Sequence, residues 1–253
     1  MKIITEPSVY LIGYQKVGEA ELGRFLDNNG VGEWQTDTEV GAEKLVEVAG
    51  RVCYMSFAKP RPGGNEAYIG HILEVGHGSV LEHAVFTLLI TGVSRSLTHE
   101  LVRHRAGFGF SQLSQRFVDE SDCAFVLPPE LAREDVAYPV FVQLCKNSLF
   151  AYEQLCNRLE EKFSRIEDKT LRRKRIRETA RSVLPNCTET KITVTGNARA
   201  WRHFIEMRGS VHADAEIQRL ARAVQTKLAE AATNLFGDYV VKTNSISTEY
   251  RKV

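Results

Sequence analysis

The sequence predicts a mixed helix-and-strand fold forming a single domain over residues 1–253. Three observations carry that expectation. Apolar runs of strand length stand at residues 9–12, 84–91 and 191–195. Apolar positions recur at helical spacing in residues 41–53, 136–166 and from 198 onward. A composition of 43% hydrophobic and 26% charged residues suits a globular chain with one sizeable core or two intimate subdomains.

In order, residues 9–12 follow Pro7 as a first strand, 17–26 form a short helix, and 29–32 a loop. A helix over 41–53 leads into the turn-rich Lys59-Pro60-Arg61-Pro62-Gly63-Gly64, which reads as a solvated loop before a helix over 65–75 that ends at Gly76. The run Val85, Phe86, Thr87, Leu88, Leu89 and Ile90 is a buried strand, and 94–102 a helix. Order resumes at 111–117 and is followed by acidic and proline-containing connections to Pro129. One long helix or two joined helices occupy 136–166, limited at the start by Pro139. Gly196 and Asn197 turn the strand at 191–195 into a long helix, and 237–253 is a strand or loop with a solvated end.

Bulk charge excludes some functions. Thirty-three Lys and Arg stand against 32 Asp and Glu, a formal net charge of +1, so no global positive field argues for nucleic-acid binding. The basic run Arg172, Arg173, Lys174, Arg175 and Arg177 spreads around a helix and mostly faces water. The five cysteines make no C-x-x-C pair and no regular disulfide pattern, which points to a reducing, cytoplasmic setting. The N-terminal apolar run is broken by Gln15 and Lys16 and reads as neither secretory signal nor membrane span.

Chemistry concentrates in RHRAGFGFSQLSQR, residues 103–116. Cationic groups meet a glycine turn, then hydroxyls and a further cation, a combination suited to a phosphorylated ligand and equally to a salt-bridge network. Glu100 and Arg103 share a helix face, so the recognition surface can begin before the arginine cluster. Phe108 and Phe110 either stack on an aromatic ligand or pack internally. Further along, Trp201, Phe204, Ile205, Arg208 and His212 fall near one helical stripe, placing a cation where an apolar residue is expected; either Glu216 or a bound anion or polar heterocycle answers its charge. His77, Glu82 and His83 do not match a short zinc-binding helix motif, and no metal is expected.

These motifs resemble those of the flavin-dependent thymidylate synthases. The likeness rests on Gly76-His77-Gly78-Ser79 through Leu81-Glu82-His83, the RHR segment, Ser111 to Arg116, Ala180-Arg181-Ser182-Val183-Leu184-Pro185, and Asn197 through His212, in the family order. The resemblance implies an α+β fold with a central mixed or antiparallel sheet and long helices, assembled as a homotetramer with active sites formed between subunits. It implies FAD as cofactor, NADPH as reductant and 5,10-methylenetetrahydrofolate as carbon donor for C5-methylation of a uridylate, with no catalytic cysteine.

By motif matching, Arg208 is the catalytic residue that favours the ionised or enolate-like base. Glu100, Arg103, Gln112, Leu113, Ser114, Gln115 and Arg116, with Arg181 from a different subunit, hold the nucleotide, Ser114 and Arg116 at its phosphate. His77, Ser79, Glu82, Arg103, His104, Arg105, Asn197, Arg199 and His203 hold FAD; His203 stands where the family frequently has Asn. Nine residue steps separate Arg105 from Ser114, one more than the family pattern, which implies an expanded turn over residues 106–109. The default substrate is dUMP, giving dTMP. The expansion leaves open UMP methylation of the kind used in nucleoside-antibiotic biosynthesis, and an inactive flavin- or nucleotide-binding relative is the other alternative.

Overall fold

The computed structural model describes residues 1–59, 61–243 and 245–251; Pro60 of the turn-rich segment and the last two residues of the C-terminal segment lie outside the described residues. In chain order come β1 (Lys2–Ile4), β2 (Ser8–Tyr14), α1 (Glu19–Asn28), α2 (Gly41–Tyr54), α3 (Gly64–Glu74), a 3-10 helix (Gly78–His83), β3 (Val85–Ser94) and α4 (Arg95–Leu101). Then follow β4 (Phe108–Gln112), β5 (Ala124–Val126), α5 (Tyr138–Lys162), α6 (Lys169–Ala180), a second 3-10 turn (Arg181–Val183) and β6 (Glu189–Asn197). The chain closes with α7 (Ala198–Arg208), α8 (Ala215–Ala231), α9 (Thr233–Phe236), β7 (Val240–Lys242) and β8 (Ser245–Ser247). The class is the α+β arrangement expected, helix-rich with an antiparallel sheet. Its main sheet has the order β2-β3-β6-β4.

Two compact units divide the chain. The first comprises Met1–Ser8, Ile90–Arg103 and Ser111–Ile192. In it β1 pairs in parallel with β5, Lys2 opposite Ala124, and Phe125, Cys123 and Cys145 form a core against Phe141, Leu149 and Leu184. Asp168 caps α6 by accepting from the Thr170 and Leu171 N–H groups, satisfying donors that a helix start leaves over. The basic run on this helix finds local partners: Arg177 reaches Asp119 at 3.1 Å, Arg172 reaches Glu160 at 3.7 Å, and Lys174 lies over the Phe117 ring.

The second unit comprises Val9–Leu89, His104–Phe110 and Thr193–Val253. Its core includes Phe86 against Phe236 and Trp201 against Phe204. On β2 the side chains alternate, leaving Tyr10, Ile12 and Tyr14 at 52%, 56% and 67% exposure along one edge of the sheet. Helix α2 buries charge as well as apolar surface: Glu43, Glu47 and Arg51 are each less than 5% exposed. Glu47 takes hydrogen bonds from Arg51 Nε at 2.8 Å, Thr36 at 2.6 Å and Asn65 at 2.7 Å, while Arg51 also donates to the Ser56 and Lys59 carbonyls. Among the described residues no helix is long and apolar enough to cross a membrane.

One open alternative closes and two expectations change. The 136–166 region holds one helix, α5, with Pro139 in its first turn where no N–H is missed. Strand β4 begins at Phe108, inside the segment expected to be only a glycine turn. The long helix from 198 is two, because α7 ends at Arg208. A Cβ on the following Gly209 would lie 2.8 Å from Ile246 Cβ, and the Ile246 N–H donates to the Gly209 carbonyl at 2.9 Å, so the docking of β8 ends the helix. His212 is therefore off the stripe and exposed, and Glu216 belongs to α8.

Candidate functional site

In the second unit, β6 passes into α7 without a loop. Asn197 is the last strand residue and the N-cap, its side chain accepting from the Ala200 N–H at 2.8 Å. Its own N–H donates to the Gly107 carbonyl at 3.2 Å. Gly107 sits at φ +76°, and a Cβ there would stand 2.8 Å from both Ala200 Cβ and Asn197 Nδ2. The turn at Gly107 is thus tied to the head of α7 at a position only glycine fills without strain.

This junction borders a cavity of about 510 Å³ lined by Glu82, Ala106, Gly107, Asn197, Arg199, Ala200, His203 and Arg251. Four expected flavin residues, Glu82, Asn197, Arg199 and His203, meet here. Arg199 donates to Glu82 at 2.6 Å, with both side chains about half exposed. His77 and Ser79 are exposed near the start of the 3-10 segment that carries Glu82, and Arg105 is exposed beside the turn; none of the three lines the cavity. Arg251 does line it and was missed, since it stands outside every motif. Volume and donors fit part of a flavin dinucleotide: the size is that of a ligand cavity, Arg199, His203 and Arg251 offer N–H groups to anionic or carbonyl oxygens, and Gly107 permits close approach.

Beside His203 lies His104. Its ring is 5.7 Å from that of His203, 5.5 Å from Phe204 and 6.4 Å from Phe108. Arg208 Nε donates to His104 Nε2 at 2.9 Å. Burial, then the positive charge of Arg208 and the proximity of His203, push the His104 imidazole down to about 4. Phe108 also meets Trp201 edge-on at 4.8 Å and stacks on Phe110 at 5.8 Å, so its ring packs against the protein's own aromatics.

The first unit holds the expected nucleotide residues. The Arg103 N–H donates to the Glu100 carbonyl as α4 ends. Gln112 donates to Thr98 at 3.0 Å and Thr190 at 3.2 Å, which gives its amide a structural use. Leu113 donates its N–H to the Lys191 carbonyl, and the Ser114 carbonyl and hydroxyl hold the turn that follows. Gln115 Nε2 and Arg116 Nε are buried and make no hydrogen bond among the described residues, although the Arg116 terminus reaches Glu178 at 3.3 Å. Such donors invite an acceptor.

Arg181, expected at the nucleotide, starts the second 3-10 turn. Burial first, and then Arg181, lower the pKa of Arg95, while Glu120 opposes them. Burial pushes the carboxyl of Glu120 up to about 7, partly offset by Arg95. A second cavity of about 590 Å³, bordered by Tyr14, Lys16, Thr36 and Lys44, contains none of the expected residues.

The cavity and the N–H donors around it offer a site for a polar ligand. The family profile described as thymidylate synthase complementing protein matches residues 36–232, and the chain belongs to that family. It is 52% identical over 219 residues to a flavin-dependent thymidylate synthase of Mycobacteroides abscessus, covering 86% of this chain and 87% of that protein. It is 51% identical over 213 residues to a protein of the same description from Corynebacterium glutamicum, covering 83% and 84%. In fold it is similar to a UMP/dUMP methylase, PolB, from Streptomyces cacaoi, solved with 5-Br dUMP: TM-score 0.65 and 21% identity, covering 94% of this chain and 96% of that one.

Proposed function

We propose that this chain catalyses flavin-dependent reductive C5-methylation of dUMP to dTMP, with NADPH as reductant and 5,10-methylenetetrahydrofolate as carbon donor. The observation that carries the reading is the identity above 50% with flavin-dependent thymidylate synthases across most of the chain. When bound, FAD supplies the hydride that turns a C5-methylene into a methyl group.

The protein's own groups bind, orient and balance charge. Arg208 faces the O2/N3 edge of uracil and favours the enolate-like base, so that C5 becomes nucleophilic. Ser114, Arg116 and Arg181 take the phosphate, for which the buried Arg116 Nε and Gln115 Nε2 are suited donors. Glu82, Asn197, Arg199 and His203 hold the flavin in the 510 Å³ cavity, joined by His77, Ser79, Arg103, His104 and Arg105. Glu100, Gln112 and Leu113 complete the nucleotide site, with Gln112 acting through Thr98 and Thr190. A homotetramer is the assembly we propose. It is supported by the exposed apolar residues Tyr10, Ile12 and Tyr14 on β2 and Val140, Leu144 and Phe150 on α5, surface that subunit contact would cover.

The expanded turn at Gly107 favours testing UMP alongside dUMP, because added length between the flavin and phosphate halves of the motif bears on room for a 2′-hydroxyl. Flavin-loaded protein supplied with NADPH, methylenetetrahydrofolate and either nucleotide is expected to form the 5-methyl product. Absence of product from both substrates overturns the reading and leaves a ligand-binding relative.

A further inference from the structure

We propose that His104 is a positioning residue: as a neutral imidazole it receives the Arg208 Nε–H and sets the direction in which that guanidinium faces the pyrimidine. The role goes beyond contact with flavin, and it rests on the reading of Arg208 as the group that activates the base.

A guanidinium has donors only, so a hydrogen bond from Arg208 Nε at 2.9 Å requires a lone pair on His104 Nε2. His104 must then be neutral, with its proton on Nδ1. Protonating Nε2 would remove the acceptor and set two cations against one another. The surroundings support the neutral form: Phe108 from β4 and Phe204 from α7 enclose the ring edge-on, and its titratable neighbours are His203 and Arg208, both on α7.

The geometry also explains why a cation at the end of α7 is held in one orientation. Arginine loses much rotamer freedom when fixed. A neutral acceptor at Nε orients the planar group without itself placing a negative charge beside it. Helix α7 presents His203, Phe204 and Arg208 to the same imidazole, so the residue that meets the cavity wall at His203 also aims Arg208.

Two measurements test this on the full-length, flavin-loaded protein. By 15N NMR of labelled histidine, His104 is expected to be the Nδ1–H tautomer and to titrate below the ordinary histidine range, moving up toward it in Arg208→Ala. A proton on Nε2 at neutral pH overturns the proposal. In turnover per bound flavin, His104→Ala is expected to lower kcat on the order of ten- to a hundred-fold, the value of one hydrogen bond to a charged group, with KM for dUMP changed much less. His104→Gln, whose amide oxygen can accept from Arg208, is expected to recover most of that loss.

An alanine variant with normal kcat per flavin overturns the proposal, as does a loss confined to flavin content. An inactive wild-type enzyme overturns the functional reading and the positioning role with it. An active wild type with a protonated Nε2 overturns the positioning role alone.

Discussion

Arg208 is the residue that most called for explanation in the sequence, because a cation at an apolar position of a helix needs a partner wherever it occurs. Its place on the stripe was legible in the spacing to Trp201, Phe204 and Ile205, all fully buried. Its acceptor was not, since His104 lies 104 positions away and meets it only through the fold. Arg208→Ala is expected to lower turnover about 10²-fold or more while uridylate still binds, the scale of losing one charge-stabilising group. Steady-state kinetics alongside nucleotide titration checks this, and near-normal turnover rejects the role. Of the motif residues, Gln112 shows what motif matching leaves out: its type was noted, but not that its amide nitrogen donates to Thr98 and Thr190.

At the scale of elements, strongly periodic helices were legible to within a few residues, as α2, α3 and α4 show. Strands β1 and β5 were not expected, since three residues carry no period and their pairing joins segments about 120 positions apart. The break after α7 escaped notice because its cause is the approach of β8 to Gly209. Helix α2 gives the sharpest prediction at this scale. Its buried Glu47 is satisfied by Arg51, Thr36 and Asn65. Arg51→Leu leaves that carboxylate without its countercharge and is expected to cost about 3–5 kcal/mol, read from denaturant unfolding. A cost below about 1 kcal/mol would mean that Glu47 is not held as an ion.

For the whole molecule, the buried Glu120 and the half-buried His104 make stability depend on pH in opposite senses. Glu120 is raised from its ordinary 4.5 to about 7, chiefly by burial. Its contribution is therefore complete below pH 4.5 and is lost as pH rises through 7. His104 is lowered from 6.5 to about 4, again chiefly by burial, so its contribution is complete above pH 6.5 and is lost as pH falls toward 4. Thermal melts should separate them. Glu120→Gln is expected to gain stability over wild type at pH 8 but not at pH 5, and equal shifts at both would contradict the assigned titration. Neither dependence was legible in the sequence, because burial of a particular Glu or His follows from packing.

The two loop-free junctions constrain where the chain can change length. Ser94 and Asn197 each end a strand and cap the next helix with closely matched backbone angles, each side chain accepting from the N–H three residues on. An inserted or deleted residue at either point would turn the following helix by about 100°, carrying every side chain on α4 or α7 to a new face. An insertion at residues 94–95 or 197–198 is therefore expected to abolish the site that α4 and α7 carry, read as lost turnover in the purified variant. The turn that leads from α4 into β4, inside the 103–116 motif, carries no such strand-to-helix cap, and an added residue there leaves the register of α4 and α7 unchanged.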